Sequence, residues 1–316
     1  LQPLELRALV ALLRGHVVTN DLEAAQDTMQ AIEKTGKDLA QITRIYFDLG
    51  KQLQAELKRI EARNDVAALK RTRDSYVAFL SQMAARKEGQ TFATLQWTGE
   101  AFFGLELYEQ AADRFKEIIE HSNNDPQFLD QSKAQNKGAL TQVKLRLVTA
   151  LRKQNLFDDA WELIKPQKES ATSDDPLHKA VVLNYEIVLE RGLVLQEWGA
   201  NEPARLETAI KHWGFWAQRL EPMQQKPTAY FEIRLNLIRC LLKKGTAATD
   251  PKDRQESLRQ AERQLLYMVK TSDQLGGPTL KAQFQQVQRD LEKQLGRPLQ
   301  AAEPTPATGK PVAKAP

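Results

Sequence analysis

The chain has 316 residues, of which 41% are hydrophobic and 27% charged, and its formal net charge is +4. That composition argues against a disordered or membrane-spanning chain, since no apolar run approaches the roughly 18 residues of a span, and so small a charge gives little support to nucleic-acid binding. One cysteine, Cys240, excludes an internal disulfide framework and leaves the redox compartment open.

Strand signals are almost absent. Apolar residues recur at three- and four-residue spacing nearly everywhere, which predicts paired amphipathic helices. The first unit, residues 3–36, rests on Leu9, Leu12, Leu13, Leu22, Ala25, Met29 and Ile32. The second, residues 38–88, carries Tyr46-x-x-Leu49-Gly50-x-x-Leu53 and two extended helices, about 38–62 and 65–86. The third, residues 91–126, is the clearest. Leu95, Gly99, Phe102 and Leu105 lie on its first helix, and Tyr108, Ala111, Phe115 and Ile118 on its second. A glycine on a helix face admits a neighbouring helix closely, Ala111 sits where a larger side chain would force the pair apart, and Pro126 prevents continuation. The fourth, residues 134–168, has Leu147 and Leu151, then Asn155 in the turn, then Phe157, Ala160 and Ile164. The fifth, residues 177–222, has Gly192 and Leu195, then Leu206, Ala209, Trp213 and Trp216. The sixth, residues 227–275, runs from Tyr230, Phe231 and Ile233 through Cys240 to Gly245, then Leu258, Ala261 and Leu265. A last amphipathic helix, residues 278–295, shows Leu280, Phe284, Val287 and Leu291 and reads as a cap over the final apolar face. Residues 297–316, rich in Pro, Ala, Thr and Lys, read as a disordered tail. The chain opens on Leu1-Gln2-Pro3 rather than methionine, which fits a trimmed terminus or a piece of something larger, so localisation is not readable from this end.

A large apolar residue followed three positions later by a small or apolar one recurs at Leu22 and Ala25, Val66 and Leu69, Tyr108 and Ala111, Phe157 and Ala160, Leu206 and Ala209, and Leu258 and Ala261, at intervals of 42 to 52 residues. A recurrence of that size marks stacked supersecondary units. Over residues 4–275 the pattern resembles the tetratricopeptide repeat (TPR), with Asn155 where that family often has glycine. The resemblance implies an all-α fold: a right-handed α-solenoid of about six antiparallel helix pairs with a C-terminal capping helix, forming one domain over residues 1–296. These units exceed the roughly 34 residues of the family repeat. The excess comes from the long helices of the second unit and from polar, proline-bearing loops around 123–136, 169–176, 200–203 and 246–252.

Catalytic signals are missing. The four histidines, His16, His121, His178 and His212, are scattered without metal-ligand spacing, and no phosphate loop or nucleophile elbow occurs. Carboxylates sit among lysines and arginines, as in Glu56-Leu57-Lys58-Arg59, where solvated pairing accounts for them. An enzyme is therefore not expected, nor a metal or cofactor. Cys240 occupies the slot held by Ala101 and Ala150 in their own units, which wants a small apolar side chain, so packing rather than thiol chemistry is its expected role. Trp213 and Trp216 follow Ala209 at helical spacing and read as core, while Phe215 lies off the stripe and reads as exposed. Basic residues gather at Lys58, Arg59, Arg63, Lys70, Arg71 and Arg73, and again at Lys144, Arg146, Arg152 and Lys153. Acids are mixed into the first set, and the aromatics of a single-strand channel are lacking, so a solvated face is the default.

In the TPR family the first helices of successive units line a concave groove along which partners lie. By that resemblance Phe47 and Lys51, then Gln96, Glu100 and Phe103, then Leu145, Thr149, Arg152 and Lys153, then Leu189 and Leu193, then Leu235, Arg239, Leu242 and Lys243 line the groove. Apolar groups mixed with cations suit an extended segment offering apolar side chains and carboxylates. The Lys/Asn clamp of chaperone-binding TPR domains is absent, because the corresponding positions hold Gln96 and Glu100, Leu145 and Thr149, and Leu235 and Arg239. The expectation is a non-enzymatic protein–protein interaction scaffold holding a protein or peptide partner. The alternatives are a nucleic-acid-associated repeat protein using the 58–73 stripe, and the repeat region of a larger enzyme or assembly.

Overall fold

Helix starts follow the local chemistry of the chain. A computed structural model describes residues 2–299 apart from 20, 36–37, 64, 87–89, 131–135, 137, 168–174 and 182–183. The described residues form thirteen α-helices and no strand: α1 (Gln2–Thr19), α2 (Leu22–Thr35), α3 (Leu39–Glu61), α4 (Val66–Ala85), α5 (Phe92–Gly104), α6 (Tyr108–Asn124), α7 (Ala139–Lys153), α8 (Phe157–Ile164), α9 (Tyr185–Trp198), α10 (Pro203–Leu220), α11 (Thr228–Ala247), α12 (Pro251–Thr271) and α13 (Pro278–Leu295). Asp65 caps α4 by accepting from Ala68 N, Thr91 and Thr94 close a reciprocal box at α5, and Asn184 and Asp250 cap α9 and α12. These oxygens satisfy donors that the first helical turn leaves unpaired. Pro203, Pro251 and Pro278 stand in the first turn, where a missing N–H costs nothing. The chain divides into two compact units, Leu1–Lys179 and Ala180–Pro316.

In the first unit, successive helices pack on one another from α1 to α8. Two of its turns share one geometry. Glu106 and Asn155 both adopt a left-handed φ of 62°, and the next residue donates back across the turn, Leu107 N to Phe102 O at 3.0 Å and Leu156 N to Leu151 O at 2.9 Å. This satisfies end-of-helix carbonyls in the manner of a Schellman motif. Gly99 faces Phe115 across the α5–α6 seam, where an added Cβ would come within 2.7 Å of the ring. Gly50 serves a helix outside its own pair: Trp97 of α5 lies on it, 2.2 Å from where a Cβ would stand. The recurring alanines Ala25, Ala111 and Ala160 are buried, whereas Val66 is 78% exposed, and α4 buries Tyr76, Phe79, Leu80 and Met83 instead.

The second unit is built around α11, which packs on α9, α10, α12 and α13. Trp213 and Trp216 are fully buried, Phe215 is 48% exposed, and Ala209 and Ala261 are core residues. Phe284, Val287 and Leu291 of α13 are buried against α11 and α12, while Leu280 stays partly exposed. Beyond α13 the expected tail boundary moves. Arg297 forks onto Glu262 with bonds of 2.8 and 2.9 Å, and Leu299 N donates to Glu292 at 3.2 Å, so residues 297–299 are fastened to α12 and α13. The remainder of the expected tail, residues 300–316, lies outside the described residues, as do 131–135 and 169–174 of two expected loops. No helix among the described residues is long and apolar enough to cross a membrane.

Candidate functional site

The expected partner-binding residues fall into separate clusters, each within one unit. In the first unit, Phe47 of α3 meets Trp97 of α5 edge-on at 5.3 Å, and Lys51 Nζ stands 4.0 Å above the Phe47 ring. A cavity of about 320 Å³ opens beside them, lined by Thr43, Phe47 and Asp48 of α3 and by Thr91, Ala93 and Thr94 at the start of α5. Further along, Arg146 of α7 bonds Glu100 at 2.9 Å and lies 5.2 Å from the Phe103 ring, tying the first helices of two successive pairs together. Gln96 and Thr149 are half-buried, the latter bonding back to Leu145 O at 3.0 Å, and Lys153 is exposed.

Three expectations need correction. Arg152 is 4% exposed, Leu145 6% and Leu235 1%, so all three are core residues rather than open groove positions, and Leu235 shows only an edge to a cleft. The reason is coverage from several sides. α7 packs on α6, on α8 and on the 3-10 turn Pro176–His178, and α11 has four neighbours. Arg73 of the expected basic stripe stays exposed while donating to Leu105 O at 2.6 Å.

In the second unit α11 and α13 bound two clefts that meet at Arg239, of about 460 and 450 Å³. The first is lined by Leu193, Glu232, Leu235 and Asn236 on one side and by Thr279, Leu280 and Gln283 on the other. The second is lined by Leu242, Lys243, Asp290 and Lys293. Arg239 is half-buried and held by Gln283 Oε1 at 2.9 Å and Asn236 Oδ1 at 3.4 Å. Burial lowers its pKa and raises that of Glu232. The two stand seven residues apart on one helix face, about 10 Å at 1.5 Å per residue. Leu193, Leu235 and Leu280 lie in the same lining as these two charged groups.

A second polar cluster went unread in the sequence. Glu221, at the end of α10, accepts from Tyr230, Tyr267 and Arg234, and Lys226 lies 3.6 Å away. Burial pushes Glu221 up, but the Tyr267 and Tyr230 hydroxyls and Arg234 outweigh it, leaving the carboxyl down at about 2. Its ligands are all supplied by the protein, so it joins α10, α11 and α12. The signal for it was Tyr230 and Arg234 at i,i+4.

Cys240 is 1% exposed, its thiol donates to Gln196 Oε1 at 3.2 Å, and burial pushes it up to about 12, which makes it a packing residue. Ala101 and Ala150 are equally buried. Among the described residues no group of three or more His, Cys, Asp or Glu is placed to hold a metal ion.

The chain matches no family model and no curated protein. A solved structure described as "Computational Design of Self-Assembling Cyclic Protein Homooligomers" aligns over 93% of this chain and 95% of that chain, at 10% identity and a TM-score of 0.14. That likeness is too slight to argue from.

Proposed function

We propose that the chain is a non-enzymatic interaction scaffold, a TPR-like solenoid of about six helix pairs closed by α13, which binds a protein or peptide segment along its first helices. The observation that supports this reading is the pair of clefts between α11 and α13. A half-buried guanidinium stands where they meet, with Lys243 one turn away and Leu193, Leu235 and Leu242 among the lining. A guanidinium already partly stripped of water gives more to a carboxylate than a solvated one does. The segment best suited places an acidic group at Arg239 and Lys243, an apolar side chain against Leu193 or Leu242, and a hydrogen-bond donor at Glu232. Phe47, Lys51, Gln96, Glu100, Phe103, Thr149 and Lys153 of the first unit serve the same role in this reading, and Arg152 does not.

The test is capture from extract by the full chain and by Arg239→Glu/Lys243→Glu, with bound proteins identified by mass spectrometry. Circular dichroism melts should show the two forms equally folded. Specific loss of an acidic partner on the variant supports the proposal. Retention of the same proteins by both forms rejects this cleft.

A further inference from the structure

A second surface, in the first unit and sharing no residue with the α11–α13 clefts, carries its own argument. α6 and α8 both pack on α7. α6 runs for 17 residues and α8 for only 8, about 25 Å against about 12 Å at 1.5 Å per residue. The cause of the short helix is local. Pro166 follows Lys165, whose ψ of 139° is the extended conformation that a following proline imposes, so the helix ends there. A trough of about 640 Å³ opens between the second half of α6 and the end of α8. Leu147 and Leu151 of α7 form its floor, and Ile119 and Leu163 its apolar walls. Glu120 and Asp159 stand on opposite rims, both exposed and neither in an ion pair among the described residues.

We infer that this trough is a docking site for a short amphipathic helix of another protein, about two turns long, that presents leucine-like side chains to the floor and lysine or arginine to the Glu120 and Asp159 rims. The length follows from the stretch of α6 that lines the trough, Lys116 to Asn124, nine residues or about 13 Å. An apolar channel between two helices is the shape a third helix fills by its i, i+3, i+7 face. The charge follows from the rims: Lys116 is the one cation among the lining residues, against Glu120, Asp159 and Glu162, and Glu162 is already neutralised by Lys165. An acidic helix would meet like charge on both sides, so the rims select as well as attract.

The experiment uses the full chain with isoleucine and leucine methyls labelled for NMR. It is titrated with a capped peptide of about 12 residues, enough for three turns, carrying leucines on one face and lysines on the flanks. A counterpart has every lysine replaced by glutamate. The lysine peptide should shift the Ile119, Leu147, Leu151 and Leu163 methyls and bind at least about tenfold more tightly than the glutamate peptide. The doubly substituted Glu120→Lys/Asp159→Lys chain, altered only at exposed positions, should reverse that preference. Shifts absent from those methyls, equal binding of the two peptides, or an unchanged preference in the doubly substituted chain would each overturn the assignment. None of these outcomes depends on Arg239 or Lys243.

Discussion

Replacing Gly192 by alanine puts a methyl group where the Trp213 ring already lies. A Cβ on Gly192 would stand 2.2 Å from Cη2, 2.3 Å from Cζ2 and 2.6 Å from Cζ3 of Trp213, where carbon atoms rest at about 3.5–4.0 Å. The indole has nowhere to go. Trp213 is 0% exposed, and its Nε1 donates to Gln196 at 3.0 Å. α9 and α10 must therefore separate by roughly 1 Å or more to restore contact distance. Overpacking of this kind costs about 1–3 kcal/mol, and alanine returns at most about 1 kcal/mol over glycine in a helix interior. The expected net effect is a loss of about 1–2 kcal/mol. Gly214 on α10 supplies a control of opposite sign. A Cβ there meets nothing within 4 Å, so Gly214→Ala should gain about 0.5–1 kcal/mol. Urea unfolding followed by tryptophan fluorescence reads both, because Trp198, Trp213 and Trp216, three of the five tryptophans, lie in this unit. If Gly192→Ala is as stable as the parent, or the two midpoints move the same way, the close approach of α9 and α10 is refuted.

Other perturbations test the turns, the buried titrating groups and the C-terminal fastening. Glu106→Asn, which copies Asn155 at the equivalent left-handed position, should stabilise by about 0.5 kcal/mol, and Asn155→Ala should cost about 1 kcal/mol; thermal melts that give both changes the same sign would contradict the shared turn geometry. His212 is bonded to Val188 O at 2.9 Å, and its pKa is held down at about 4 by burial and by Arg191 against the opposing pull of that bond. Below its ordinary value of 6.5 the unfolded chain takes up a proton that the folded chain refuses until about 4. Stability should therefore be full above pH 6.5 and fall by up to about 3 kcal/mol toward pH 4. His212→Gln should flatten that slope in urea titrations at pH 7 and 4.5. Glu221, depressed from 4.5 to about 2, contributes stability that is present above pH 4.5 and lost as pH falls through 2, a separate and lower window. A chain ending at Gly296 should melt below one ending at Leu299, because it leaves the buried Glu262 carboxylate without Arg297; equal melting temperatures would show that the fork contributes nothing.

The sequence by itself determined the helices and their inward faces. Apolar spacing placed helices near 38–62 and 65–86, which the structure gives as Leu39–Glu61 and Val66–Ala85. The same period separated buried Trp213 and Trp216 from exposed Phe215. Periodicity works there because it reports the angle a side chain makes about its own axis, and one neighbour is enough to bury that face. What only the tertiary structure decided is how many sides of a helix are covered. α7 and α11 have neighbours on several sides, so Arg152 and Leu235 are inside although the resemblance to the TPR family put them on the expected groove. The clefts beside Arg239 and the trough beside Glu120 lie between helices that are far apart in the chain. Pro166 was visible in the chain, but the lining of that trough joins residues some forty positions apart, which no local pattern encodes.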